Sequence, residues 1–188
     1  MLIKISVENF KSFDKREELS MISSSKVQVN KNHRVKIKQT NLLKNAVVYG
    51  ANASGKSNLV AAFAFIKEVL MEGLPMGSVN DFCRNAEENK TRESVFELQF
   101  TVGDTFYAYG FSAILSRRQI TEEWLYELMQ GGGARQLFIR EGNKAPSLGD
   151  GVNLTSSAEK NRFEVYADDF AGHDTQLFLA EMNRGKKY

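Results

Sequence analysis

A chain of 188 residues, 42% hydrophobic and 26% charged, is long enough to bury one substantial core. Its 25 lysines and arginines nearly balance 23 acidic residues, so the overall charge demands neither a nucleic acid nor a membrane. Cys83 is the single cysteine and excludes an internal disulfide, while His33 and His173 are far apart in sequence and offer no metal cluster. The longest apolar run, 59–66, falls far short of the roughly 18 residues of a membrane helix. With no signal-peptide pattern at the N-terminus, these features predict a soluble, cytoplasmic protein with no membrane partner.

In chain order, Leu2, Ile3, Ile5 and Val7 open a strand that ends in the polar turn Asn9-Phe10-Lys11-Ser12-Phe13-Asp14. Residues 17–22 suit the returning strand, 23–32 a polar loop, and 34–38 a half-exposed strand of strict alternation. The apolar run Ala46-Val47-Val48-Tyr49 predicts a buried strand. Leu59, Phe63, Ile66 and Leu70 then recur at helical spacing until Gly73 and Pro75 stop the helix. Beyond it, 96–102, 106–114, 120–128 and 136–139 read as strands joined by short turns, an antiparallel meander rather than βαβ units. Residues 146–157 read as a loop, and Asp174 as the cap of a last helix, 175–183.

Between the expected strand and helix lies Gly50-Ala51-Asn52-Ala53-Ser54-Gly55-Lys56-Ser57, a complete G-x-x-x-x-G-K-[ST] phosphate loop, or Walker A motif. Its glycines let the backbone wrap an anion, so that the N–H groups of Ala53, Ser54, Gly55 and Lys56 point at phosphate oxygens. Lys56 reaches the β- and γ-phosphates, the Ser57 hydroxyl ligates Mg²⁺, and the helix N-terminus adds its dipole. Asn52 and Asn58 flank the same loop. Strand, loop and helix are the context this motif requires, and they point to nucleotide binding. The antiparallel meander argues against a small phosphotransferase, which would follow its loop with parallel strands and helices.

The stretches 5–13 (Ile-Ser-Val-Glu-Asn-Phe-Lys-Ser-Phe), 49–59, 96–100, 109–111, 122–127 and 137–141 resemble the N-terminal lobe of bacterial ABC-type ATPases related to SMC, RecF and OLD proteins. Within that group the chain is most similar to the AAA-type ATPases of abortive-infection and other phage-defence systems. The resemblance implies an α/β fold: a P-loop NTPase first lobe with an antiparallel β-subdomain, part of an incomplete ATPase domain spanning 1–188. Residues 1–75 would hold the strand–turn, P-loop and first helix, 90–145 the meander and 173–184 the closing helix. It also implies ATP and Mg²⁺ as ligands. Lys11 and Ser12 of the opening turn then become candidates for the phosphate and sugar side of the nucleotide, with Lys11 alternatively a solvated turn residue. Phe10 and Phe13 fit core anchors better than adenine-stacking residues.

The family completes its site with a second lobe carrying a signature motif, a Walker B strand ending in Asp-Glu, and a switch histidine; none is evident here. Residues 177–181 and 163–169 are weak matches to the Walker B pattern. Relatives often carry, near the end of this lobe, a glutamine that touches Mg²⁺ and the attacking water, and Gln176 is the only glutamine nearby. Without those groups the chain alone is expected to bind ATP with negligible turnover. The expected partners are a second lobe or another copy across the nucleotide, and an effector nuclease or toxin. A scaffold or sensor that binds ATP without hydrolysing it is the other reading. Residues 26–44 carry six basic residues and no acid. They fit either a track for a nucleic-acid backbone or, more simply, the lysine-protected face of an edge strand.

Overall fold

The computed structural model describes residues 1–24, 26 and 29–184. Part of the loop expected over 23–32 (residues 25, 27 and 28) lies outside the described residues. In chain order the elements are β1 (Leu2–Glu8), β2 (Glu17–Ser20), β3 (Arg34–Ile37), β4 (Thr40–Leu43), α1 (Lys56–Glu72), β5 (Ser94–Val102) and β6 (Thr105–Ile114). They continue with β7 (Gln119–Leu128), β8 (Ala134–Glu141), β9 (Ser147–Leu148), α2 (Ser157–Phe170) and α3 (Phe178–Arg184).

Seven strands form one sheet in the order β2-β1-β5-β6-β7-β8-β9, and every neighbouring pair is antiparallel. The meander read from the sequence is therefore continuous with β1, which pairs with β5 from Leu2↔Phe100 to Glu8↔Val95. β3 and β4 form a separate two-stranded hairpin; β4 is a strand the alternation pattern did not disclose.

One face of the large sheet packs against α1. Ala62, Phe65, Ile66 and Val69 follow helical spacing and are buried against Ile5, Val7, Phe96 and Phe111. Phe10, Phe65, Phe96 and Phe111 form an aromatic chain with centroids 4.9 to 5.2 Å apart. Phe10 is fully buried, as expected of a core anchor. A second cluster, Phe138, Phe170 and Phe178, fastens α2 and α3 to β8. On the opposite face Trp124 lies over Gly110, where a Cβ would stand 2.6 Å from Trp124 Cε2 and 2.7 Å from the Phe96 carbonyl. Gly110→Ala is expected to cost about 1–3 kcal/mol of stability through this overlap, read as a lowered denaturation midpoint.

Three expectations are corrected. Residues 46–49 form no strand, and Val47, Val48 and Tyr49 are 66%, 47% and 88% exposed. Apolar composition suits a strand, but a strand exists only where a neighbour supplies hydrogen bonds, and among the described residues none does. Residues 163–169 lie on α2, whose N-terminus is closed by a Ser156/Glu159 capping box, so this stretch is no Walker B strand. Residues 177–181 lead into and begin α3, which rules out the other match.

Candidate nucleotide site

The phosphate loop connects the exposed 46–49 segment to α1. Ala53 and Gly55 have φ of 63° and 88°, left-handed conformations of the kind that build an anion nest, while the Ser54 N–H donates to the Ala51 carbonyl at 3.3 Å. The first turn of α1 adds N–H groups with no intrahelical acceptor, at the positive end of a 17-residue helix. A Cβ at Gly50 would lie 2.6 Å from Ser54 Oγ, so a larger residue there would require the Ser54 hydroxyl to rotate away. Lys56 Nζ bends over this loop and donates to the carbonyls of Gly50 (2.8 Å) and Ala51 (2.5 Å) and to Ser54 Oγ (3.2 Å). These acceptors hold the ammonium at the mouth of the nest. Ser57 is exposed one residue further along the helix. The donors present, a hydroxyl beside an anion nest and a lysine, suit a phosphate chain carrying Mg²⁺.

The β1–β2 turn reaches the loop through Ser12. Asn58 Nδ2 donates to Ser12 Oγ at 2.7 Å, and that oxygen lies 3.1 Å from where a Cβ on Gly55 would stand. Ser12, Gly55 and Asn58 are thus brought together. Lys11 is not: its Nζ pairs with Asp81 at 2.8 Å and lies 5.3 Å from the Phe10 ring, and its N–H donates to the Asp81 carbonyl. Lys11 is held here as a partly buried ion-pair residue of the turn. Phe13 lines a cavity of about 320 Å³ with Val7, Glu17, Leu19, Gly55 and Lys56, beside the loop.

Asn9, which sequence reasoning passed over, builds the turn. It is fully buried with φ of 49°, and its amide donates to the carbonyls of Asn89 and Arg92, both at 2.9 Å, and of Glu93 at 3.3 Å. Its Oδ1 accepts from the Cys83 N–H, and its carbonyl from Ser94 Oγ. A polar residue before two aromatics was the only signal available in the sequence. Asn9→Ala is expected to destabilise the chain by about 2–4 kcal/mol, since it strands several buried polar groups and strains a left-handed position. A fall in urea midpoint accompanied by weaker nucleotide binding would show that this turn supports Ser12.

Gln176 sits at the other end of α1. Its Cγ lies 3.2 Å from a Cβ position on Gly73, and its carbonyl accepts from Arg140 Nη1 at 3.0 Å. A 17-residue helix is about 25 Å long, so this glutamine is not delivered to the phosphate loop. Arg140 faces Glu123 across the β7–β8 ladder, and both are buried. Glu123 accepts from Tyr109 Oη (2.9 Å) and from the N–H groups of Phe178 (2.7 Å) and Leu179 (3.1 Å). The cap of α3 is therefore Glu123, not the expected Asp174. Burial pushes the Glu123 carboxyl above its ordinary 4.5, although those three donors and Arg140 pull the other way.

An anion nest at the head of a helix, strapped to a strand–turn on an antiparallel sheet, defines a nucleotide-binding domain. Residues 46–170 match the family model described as "AAA domain, putative AbiEii toxin, Type IV TA system", and over more than half its length the chain belongs to that family. The resemblance to AAA-type ATPases of the abortive-infection kind is borne out, and membership implies a P-loop NTPase; the described architecture is mixed α/β with an antiparallel seven-stranded sheet. No curated protein matches the chain. Among the described residues, no helix is long and apolar enough to cross a membrane.

Proposed function

We propose that this chain is the first lobe of an ABC-type ATPase, binding ATP with Mg²⁺ and closing around it against a second lobe or a second subunit. The observation that carries this reading is Lys56 poised over the nest formed by Gly50 to Gly55. In this reading the N–H groups of Ala53, Ser54, Gly55 and Lys56 hold the phosphates, and Asn52 and Asn58 border them. Lys56 exchanges its loop carbonyls for β- and γ-phosphate oxygens. Ser57 holds Mg²⁺, which supplies charge neutralisation between those phosphates. Ser12 lines the sugar and phosphate side, and Lys11 contributes only once released from Asp81.

The exposed apolar run Val47-Val48-Tyr49 supports the second lobe. Unpaired backbone and apolar side chains directly before the loop are a cost that pairing with a strand of that lobe removes. Closure then switches an effector such as a nuclease or toxin, in phage defence or, as the nearest alternative, in DNA repair. A non-hydrolysing sensor or scaffold is the second reading; no Walker B strand among the described residues favours it for the chain alone.

Titration of the protein with ATP, with and without Mg²⁺, followed by measurement of released phosphate, tests both. Mg²⁺-dependent binding with negligible release is expected. Rapid release by this chain alone would overturn the incomplete-site reading, and absence of binding would overturn both.

A further inference from the structure

The β1–β2 turn is fixed on one side and reaches the phosphate loop on the other. Asn9 ties its start to the 89–94 segment, and the N–H and Nζ of Lys11 both bond to Asp81. Ser12 follows on this anchored backbone and turns toward α1, where its Oγ accepts from Asn58 Nδ2 at 2.7 Å. Among the described residues the hydroxyl makes no other hydrogen bond.

Asn58 is the third residue of α1, and its own N–H donates to the Gly55 carbonyl at 3.0 Å. Helical side chains lean toward the N-terminus, so its amide turns back over the loop. Gly55 leaves the room that this needs: a Cβ there would stand 3.1 Å from Ser12 Oγ, closer than ordinary van der Waals contact. Asn58 donates and the serine oxygen accepts, so the one proton of the hydroxyl is left for an acceptor outside the pair. Beside Lys56 and the positive end of a helix, the acceptor that fits is an anionic oxygen.

We propose that Asn58 is a positioning residue: it holds the Ser12 hydroxyl so that its O–H donates to a phosphate oxygen of the bound nucleotide. The inference rests on the nucleotide reading above and refines it in two respects. Asn58 acts through Ser12 rather than on the ligand, and Ser12 addresses phosphate rather than sugar. A free serine on an exposed turn is spread over its rotamers, and ordering it on binding costs affinity. One already held by its neighbour avoids that cost. A hydrogen bond to a charged oxygen is also the stronger kind, so the aim of this hydroxyl has a measurable effect.

The test is calorimetric titration of the full chain with ATP and with 2′,3′-dideoxy-ATP, both with Mg²⁺, for Ser12→Ala, Asn58→Ala, the double variant and Lys56→Ala. Ser12→Ala is expected to weaken both ligands about tenfold, and Asn58→Ala about fivefold. In the Ser12→Ala background, Asn58→Ala should change affinity by less than about twofold. Equal losses from Asn58→Ala in the two backgrounds would overturn the proposal, because Asn58 would then act without Ser12. No loss in either would overturn it as well. A Ser12→Ala loss seen with ATP and absent with the dideoxy analogue would assign the hydroxyl to the sugar and overturn the phosphate contact. Melting curves should move by no more than about 2 °C, because the Ser12–Asn58 bond is exposed. Absence of binding by the unaltered chain, or binding that Lys56→Ala leaves unchanged, overturns the nucleotide reading and this inference with it. Lys56-dependent binding without coupling between Ser12 and Asn58 overturns this inference alone.

Discussion

Lys56→Ala is expected to weaken nucleotide binding about a hundredfold while leaving the fold intact. The ammonium sits at the mouth of the anion nest, and its present acceptors are carbonyls of the same loop, which a phosphate chain outcompetes because the new bonds join full charges. Losing such contacts costs about 3 kcal/mol or more, roughly a hundredfold in Kd. The stability effect should be small, with Tm moving by no more than about 2 °C, because none of the lysine's hydrogen bonds is buried. Titration with a fluorescent ATP analogue, alongside a melting curve, separates the two effects. Wild-type affinity in the variant would remove Lys56 from the site and with it the main support for the proposed function.

The largest stability effect is expected at Glu123. Its carboxylate caps α3, accepts from Tyr109 and faces Arg140, whose Nε and Nη2 already lack partners among the described residues. Glu123→Ala strands two backbone N–H groups and leaves a buried guanidinium without its opposing charge. The expected cost is about 3–5 kcal/mol, or roughly 6–20 °C in Tm. Combining Glu123→Leu with Arg140→Met removes both charges and should recover much of that loss, because well-packed apolar residues often replace a buried ionic pair without penalty. A double variant no more stable than Glu123→Ala would show that the helix cap, rather than charge balance, dominates.

The same carboxyl gives a pH signature. Its folded pKa lies above the ordinary 4.5, so in that window the folded chain retains a proton the unfolded chain has released. Glu123's contribution to stability therefore falls as pH rises above about 4.5. Glu123→Gln, which cannot ionise, should lose that part of the pH dependence, checked by urea denaturation across a pH series.

The features legible in the sequence were those written locally. The loop 50–57 is a motif whose glycines and lysine carry their own geometric reason, and α1 announces itself by apolar spacing and by Gly73. The strands from 94 to 141 alternate and are separated by turn residues, so their existence and antiparallel order needed no knowledge of the rest of the chain. Helix α2 escaped notice because its polar composition leaves little apolar periodicity, although the Ser156/Glu159 box marked its start.

What the tertiary structure decided were pairings between distant groups. Asn9 gains its role from partners 74 to 85 residues away, and Glu123 caps a helix that begins 55 residues later. Lys11 is taken by Asp81, 70 residues on, while its neighbour Ser12 meets the phosphate loop. Val47, Val48 and Tyr49 have the composition of a strand and lack the strand. Periodicity and propensity report how a segment relates to its own neighbours. Burial, ion pairing and sheet formation depend on which segment comes to lie beside it, and only the closed fold supplies that.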